Sequence, residues 1–403
     1  MRDWLRFVLE GRPWWMNALM VFSAYMAFVY VPWDFFVKPM AHDQEVWFGV
    51  LFTGFWAKLT EPLHWAIYAA GAYGFYRMRG WMWPWAAVYV ASISIGMLVW
   101  CVFYGIGGLG GLLLGVVSAL PFAWLARELW RSEGLFGARG PSLSERYGEW
   151  ALVTGASAGI GVEFARSLAR EGVSCALSAR RGERLETLAT ELEQTWRVQT
   201  RVVVEDLSQP GGAERVAEAV ADLPIAILVN NAGVGAAGRF DRRATEQLRD
   251  MVELNCVAPV VLTSRLLPGM HARGRGAVVI TGSIAGRQPL PLHGVYSATK
   301  AFDAFLGESL FVELRKEGID VLVLEPGATE TEFQETAGEV PHPGASPAAV
   351  VEAALEALGR QPSVIPGWFD WVRANAAVRL TSRPFVGFLA RDVVAKQTPE
   401  ELR

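Results

Sequence analysis

Ser283, Tyr296 and Lys300 lie in the stretch GSIAGRQPLPLHGVYSATK, with the tyrosine thirteen residues after the serine and the lysine four residues after the tyrosine. These residue types at this spacing can move a proton. A tyrosine and a lysine at i and i+4 share one face of a helix, so their side chains can meet at a common reactant. A free phenol has a pKa of about 10, too high for efficient transfer near neutrality. A nearby ammonium stabilises the phenolate and brings that value down. Ser283, at the end of its own apolar run, is placed to hydrogen-bond the same substrate oxygen and orient it. Singly, each feature is commonplace: a Tyr/Lys pair at this spacing is usually a pair of surface neighbours, and TGS is usually a turn.

These side chains need a scaffold, and the sequence supplies one beyond residue 149. WALVTG (150–155) is a short buried-strand run, and VSCALSA, RVVVE, IAILVN, AVVIT and DVLVLE are further runs of similar length, mostly β-branched. Helical patterns over 182–196, 212–222, 245–273 and 295–317 separate them. Strands alternating with helices predict an α/β fold with a doubly wound parallel sheet of Rossmann type. In such sheets ligands bind beyond the carboxyl ends of the strands. TGASAGIG (154–161) sits there, between the first strand and the first helix. Gly155, Gly159 and Gly161 allow a tight turn and a close approach to a pyrophosphate at the helix N-terminus, with Ser157 and Ile160 in the same loop. About 20 residues on, an acid selects a free ribose hydroxyl and an arginine suits a 2′-phosphate. The second strand ends SARRGERLE, with Arg180 and Arg181 and no acid, so NADP(H) is favoured over NAD(H) through Arg180. The plainer reading of that arginine is a solvated cap on the strand end.

With these pieces together the chain resembles the short-chain dehydrogenase/reductase family. The resemblance spans roughly residues 149–335 and rests on TGASAGIG, DL (206–207), NNAG (230–233), ELN (253–255), TGSIAG (281–286), YSATK (296–300) and EPGATET (325–331). It implies a catalytic tetrad of Asn255, Ser283, Tyr296 and Lys300. It also implies that Asp206 contacts adenine, and that Asn231, Ala232 and Gly233 lie along the cofactor. Thr331, after Pro326 and Gly327, would meet the nicotinamide carboxamide. Lys300 would anchor the nicotinamide ribose together with Tyr296, and Asn255 would hold a water linking Lys300 to bulk solvent.

The first 130 residues differ in kind. Thirteen of the 17 tryptophans fall there, and the mean hydropathy of the whole chain is +0.24. Trp14–Trp33, Val46–Tyr76, Trp81–Tyr104 and Ile106–Ala126 read as about four spans of a lipid bilayer, the second interrupted by Lys58, Glu61 and Pro62. Lys58, Glu61 and His64 are candidates for a buried functional group. The blander reading, which is favoured, leaves them near a headgroup with 46–57 re-entrant or interfacial. GLGGLLLG is read as close helix packing. Arg2, Arg6, Arg12, Arg77, Arg79, Arg127, Arg131 and Arg139 fall on one side of a four-span arrangement, which the positive-inside tendency makes cytoplasmic. No cleavable signal pattern is evident in the first 30 residues.

The expected organisation is a transmembrane helical domain (1–130), a linker (131–148), a Rossmann-type NADP-binding catalytic domain (149–366) and an amphipathic helical tail (367–403). A formal charge of −4 gives no reason to expect nucleic acid, and Cys101, Cys175 and Cys256 are too scattered for a zinc site or a disulfide framework. No metal is expected. The loop 284–295 and the polar segment after Thr331, read as a mobile lid, should flank the substrate. His293 and Arg287 are read as loop or solvated surface. The tail either packs on the core, lines an acyl-sized pocket or lies on a bilayer. The favoured function is an NADP(H)-dependent carbonyl/secondary-alcohol oxidoreductase for a hydrophobic or lipid-like substrate, a homo-oligomer held at the cytoplasmic face. The alternative is a membrane transport or assembly protein with a nucleotide-sensing domain, a reading that the proton-donating residues disfavour.

Overall fold

The computed structural model describes residues 12–105, 107–136 and 141–403, and the chain divides into two compact units, Met1–Gly140 and Pro141–Arg403. Arg2, Arg6 and Arg139 of the arginine pattern, and Ile106 of the fourth apolar stretch, lie outside the described residues.

The first unit holds four long helices: α1 (Trp14–Phe36), α2 (Phe55–Arg77), α3 (Trp85–Phe103) and α4 (Gly108–Arg131). By length and composition, α1, α4 and the stretch Gly80–Phe103 are long and apolar enough to cross a membrane. α2 has the length, but Lys58, Glu61 and His64 make its first half too polar for that class. Residues 46–53 are not helical. They belong to an antiparallel hairpin of β1 (Gln44–Trp47) and β2 (Val50–Thr53), turning at Phe48 and Gly49, both with positive φ.

The polar groups of α2 close against this hairpin. Lys38 Nζ lies 2.8 Å from Asp34 and 2.9 Å from Asp43, while Lys58 Nζ lies 3.3 Å from Asp43 and 3.2 Å from Glu61. Glu61 is fully buried within protein rather than at a surface. His64 pairs with Glu45 at 2.6 Å and stacks on Trp47. The three carboxylates approach within 4.8 Å of one another, with the ammonium groups of Lys38 and Lys58 set among them. Gly111 of α4 turns to α3, where a Cβ would meet the Cys101 carbonyl oxygen at 2.5 Å, so the small residues of GLGGLLLG serve close packing.

The second unit is built on a seven-stranded parallel sheet: β3 (Trp150–Thr154), β4 (Ser174–Ala179), β5 (Thr200–Val204), β6 (Ile225–Asn230), β7 (Gly276–Thr281), β8 (Ile319–Leu324) and β9 (Ser363–Val364). Their spatial order is 5-4-3-6-7-8-9, so the winding direction reverses between β3 and β6. The central strands are apolar along their whole length because helices cover both faces. Residues 143–146 form a short capped helix, α5 (Leu143–Arg146). Then follow α6 (Gly159–Arg170), α7 (Gly182–Trp196), α8 (Gly212–Ala219), α9 (Thr245–Arg273) and α10 (Gly294–Leu314). α11 (Phe333–Ala337), α12 (Pro347–Ala357), α13 (Trp368–Leu380) and α14 (Arg383–Gln397) complete the unit. α9 also has the length and apolarity of a span, but it packs beside the sheet and widens into a π turn at Glu253–Val257.

The entry to this unit is pinned by Asp320, which accepts hydrogen bonds from Tyr147 and Arg146, both at 2.7 Å. Tyr147 is 2% exposed, so part of the segment expected to be linker belongs to the core. A buried phenol left without its acceptor costs about 1–3 kcal/mol. Asp320→Ala is therefore expected to lower unfolding stability by about 2 kcal/mol and Tyr147→Phe by about 1, measured by urea unfolding of the detergent-solubilised chain.

Candidate active site

β3 ends at Thr154 and the chain enters α6 almost at once. The Thr154 hydroxyl accepts from the backbone N–H of Asn231 (3.0 Å) and of Ala232 (3.1 Å), and Asn231 Nδ2 donates to the Thr154 carbonyl (3.0 Å). These bonds fasten the end of β6 to the end of β3 at the point where the sheet reverses. At Gly161 a Cβ would lie 2.2 Å from the Gly155 carbonyl oxygen, so the loop can close over the first turn of α6 only with glycine there. The resulting cradle, with free backbone N–H groups at a helix N-terminus, fits a pyrophosphate.

A cleft of about 590 Å³ opens above it. Gly155, Ser157, Ile160, Arg180, Asp206, Asn231, Ala232, Gly233, Ser283, Tyr296, Lys300, Pro326, Gly327 and Thr331 all line this one space. Gly159, Gly161 and Asn255 stand behind its wall. Asn255 sits in the π turn of α9, 1% exposed, and its amide is committed to its neighbours. It donates to the Val234 carbonyl (2.9 Å) and Thr299 (3.0 Å) and accepts from the Val234 N–H (3.0 Å). What the geometry shows for Asn255 is a clamp on the Gly233–Val234 loop.

The second strand's two arginines behave differently. Arg180 reaches toward Asp206 at 3.7 Å. Arg181 lies over the glycine loop, donating through Nε and Nη2 to the Ser157 hydroxyl (3.1 and 3.0 Å), and pairs with Glu332 at 2.6 Å. Arg184 also pairs with Glu332 at 2.6 Å. Two cations therefore converge on one carboxylate at the cleft edge, and Arg181 is a second candidate beside Arg180 for a phosphate.

Tyr296 and Lys300 project from α10 as their spacing requires. Burial pushes the Tyr296 phenol above its ordinary value, while the Lys300 ammonium and a hydrogen bond with Ser283 pull it down without prevailing. The expected ammonium effect is present, but desolvation outweighs it. Ser283 itself is held by donating to the Pro326 carbonyl (3.3 Å) and accepting from the Ala285 N–H (3.1 Å). Lys300 Nζ donates to the Thr281 carbonyl (2.7 Å) and to Asp303 (2.9 Å). Burial alone would lower the Lys300 ammonium; the Asp303 carboxylate and the Tyr296 phenol more than offset this and raise it.

Sequence reading missed Asp303, which is 1% exposed and lies three residues after the lysine, on the same helix face. It misplaced two others. His293, expected at a surface, is buried with its ring edge-on to Tyr296 at 6.2 Å, and burial together with Arg243 lowers its pKa to about 4. Arg287, expected to be solvated, holds the fully buried carboxylate of Glu325 in a two-pronged ion pair. The polar segment after Thr331 is partly helical. It places the Phe333 ring 5.4 Å from Tyr296, while Gln334 exchanges two hydrogen bonds with the His342 backbone (2.8 and 2.9 Å).

Comparison with known proteins agrees with this geometry. The family described as short chain dehydrogenase matches residues 149–341. Very-long-chain 3-oxoacyl-CoA reductase-A of Danio rerio is 31% identical over 272 residues, covering 62% of this chain and 84% of that one. The 7beta-hydroxysteroid dehydrogenase of Collinsella aerofaciens is 34% identical over 233 residues, covering 56% and 89%. A solved short-chain dehydrogenase from Sphingobium yanoikuyae, in complex with NADPH, superposes with a TM-score of 0.53 at 34% identity, covering 57% of this chain and 91% of its own. The chain belongs to the short-chain dehydrogenase/reductase family and is an oxidoreductase of CH–OH and keto groups. Enzymes of that family use a nicotinamide dinucleotide.

The Lys300–Asp303 pair predicts a pH effect of definite sign. A raised lysine pKa means that the charge persists to higher pH than burial alone would allow. Asp303→Asn removes the principal offset, so Lys300 should lose its proton at lower pH. Turnover of the variant is expected to fall on the alkaline side while remaining near parental on the acid side, read from kcat against pH. A loss of equal size at every pH would leave Asp303 with a structural role only.

Proposed function

We propose that this chain is a membrane-anchored, NADP(H)-dependent oxidoreductase that interconverts a carbonyl and a secondary alcohol on a hydrophobic, lipid-like substrate. The observation that carries the proposal is a single cleft. Its floor is the Ser283–Tyr296–Lys300 group, and its wall is formed by Ala374, Val386, Leu389, Ala390, Val393 and Val394 of the C-terminal helices. An apolar wall beside a polar proton-transfer group suits a carbonyl on a long or bulky hydrocarbon.

The residues divide the work as follows. The Gly155–Gly161 loop and the N-terminus of α6 would hold the pyrophosphate, and Asp206, Asn231, Ala232, Gly233, Pro326, Gly327 and Thr331 would line the path of the remainder of a dinucleotide, which would supply or accept the hydride. In the reductive direction Tyr296 gives its phenolic proton to the carbonyl oxygen as the carbon is reduced. Ser283 holds that oxygen and stabilises the charge developing on it. Lys300 keeps a positive charge under the phenolate until a proton returns. Preference for NADP(H) is supported by Arg180 and Arg181 at the end of β4, where no acid meets the ribose.

Anchoring is supported by α1, α3 and α4, and a cytoplasmic site by Arg77, Arg79, Arg127 and Arg131 at helix ends on one side of the spans. A homo-oligomer is supported by exposed apolar side chains, Phe305 and Val312 on α10 and Val260 on α9.

Two measurements test the reaction and the cofactor. Tyr296→Phe is expected to retain NADPH binding, seen by nucleotide fluorescence, and to lose turnover by about 10² or more; an unchanged rate would refute the assignment. Arg180→Ala combined with Arg181→Ala should weaken NADPH binding by at least tenfold and leave NADH nearly unaffected, as expected when about 1.4 kcal/mol or more of phosphate contact is lost. Equal loss for both cofactors would remove the phosphate role.

A further inference from the structure

Helices α13 and α14 carry an apolar face that the folded chain leaves uncovered. Trp368 is 79% exposed and Phe388 70%, and Phe369, Leu380, Phe385 and Val393 are also more than half exposed. A patch of this character on a folded protein marks an interaction surface. The other side of the same helices is not free. Val386, Ala390 and Val394 are buried against the cleft, while Leu389 and Val393 both line the cleft and remain half exposed. The rim of the substrate cleft is therefore apolar and continuous with the uncovered face.

Charge indicates what covers it. Over residues 368–397 the cations are Arg373, Arg379, Arg383, Arg391 and Lys396 and the anions are Asp370 and Asp392, so five minus two leaves +3. Arg373 pairs with Asp370 at 2.9 Å, whereas Arg379, Arg383, Arg391 and Lys396 are exposed. A second copy docking through the same face would set +3 against +3, which like-charge juxtaposition disfavours. Aromatic and aliphatic side chains interspersed with arginine match the boundary between anionic headgroups and acyl chains. The chain also carries apolar helices long enough to hold it at a bilayer.

We propose that α13 and α14 rest on an anionic phospholipid bilayer, with Trp368, Phe369, Phe385 and Phe388 in the interface and the cleft mouth at Leu389 and Val393 opening toward lipid. The docking does not rest on the reaction proposed above; the role of the mouth in substrate entry does. On this arrangement a lipid-soluble substrate passes from the acyl region to Tyr296 along an apolar surface.

The test uses the full chain in nanodiscs of phosphatidylcholine and phosphatidylglycerol. A bimane label is attached through Phe388→Cys or Phe369→Cys, with Glu186→Cys on exposed α7 as the water-facing control. Cys101, Cys175 and Cys256 are buried, and the unsubstituted chain gives their background. Labels at 369 and 388 are expected to be quenched by doxyl-labelled lipid and several-fold less by iodide than the label at 186. Each arginine near an anionic surface strengthens attachment roughly fivefold. Arg383→Glu with Arg391→Glu should therefore abolish most lipid quenching at 388 while NADPH binding stays intact. Iodide quenching at 388 equal to that at 186 would overturn the proposal by placing the face in water. Shielding from both quenchers, with cross-links between copies at 388, would overturn it in favour of a protein interface. Because depth is read without turnover, a failed activity assay leaves this result independent.

Discussion

A lysine ammonium at the floor of a deep cleft loses most of its hydration, and the rest of the active site depends on how that loss is compensated. Lys300 is 5% exposed. Desolvation on its own favours the neutral amine, which could neither stabilise a phenolate nor bind a ribose as a cation. Compensation comes from two fixed acceptors, the Thr281 carbonyl at the end of β7 and the Asp303 carboxylate one helical turn beyond the lysine. The first ties the charge to the sheet and the second to its own helix. Asp303 is in turn pushed up by burial, an effect that Lys300 offsets only in part.

This constraint explains why the sheet topology matters. Thr281 ends β7, and Ser283 and Pro326 lie just beyond the carboxyl ends of the neighbouring strands β7 and β8, which pair in register from Gly276↔Ile319 to Thr281↔Leu324. One residue of slip would move the Thr281 carbonyl away from Lys300 and the Pro326 carbonyl away from Ser283 together. Beneath them, Glu325 is fully buried and held by Arg287. Burial raises this carboxyl and the guanidinium lowers it again, so a second charge-compensated pair supports the Pro326–Gly327 turn. The site therefore rests on two buried ion pairs, Lys300–Asp303 within α10 and Arg287–Glu325 between the loop after β7 and the end of β8.

What the sequence made legible was whatever depends on spacing along one element. The i, i+4 relation of Tyr296 and Lys300, the glycine loop between β3 and α6, and the apolar runs of six of the seven sheet strands follow from local rules. β9, only two residues long, left no pattern. The features that could not be read depend on partners distant in the chain. Asp303 went unread because nothing nearby in sequence shows that its helix face is buried. His293 and Arg287 sit in a loop, where polarity usually means solvent; here Phe333 and Glu339 from one side and Glu325 from the other enclose that loop. The hairpin at Gln44–Thr53 was hidden because Phe48-Gly49 is not a usual two-residue turn, and its alternation is masked by apolar residues on both faces. The second strand's arginines were visible, but which of them reaches the glycine loop is set by side-chain geometry.

The C-terminal helices show how an enzyme of this fold can acquire a preference without altering its chemistry. The polar end of the cleft is fixed by the sheet and the two ion pairs, and has little room to vary. The far wall is different: it comes from α13 and α14, which contribute no strand and none of the proton-transfer residues. Side chains there can change without moving Tyr296. In this chain they are aliphatic inside and aromatic or basic outside, so one pair of helices both shapes the pocket and presents a lipid-compatible surface. Substrates with hydrocarbon bodies gain burial along that wall in proportion to apolar area, about 25 cal/mol for each Å² removed from water. That gain is unrelated to the proton transfer, so on the function proposed above the wall would select the substrate without altering the chemistry at Tyr296.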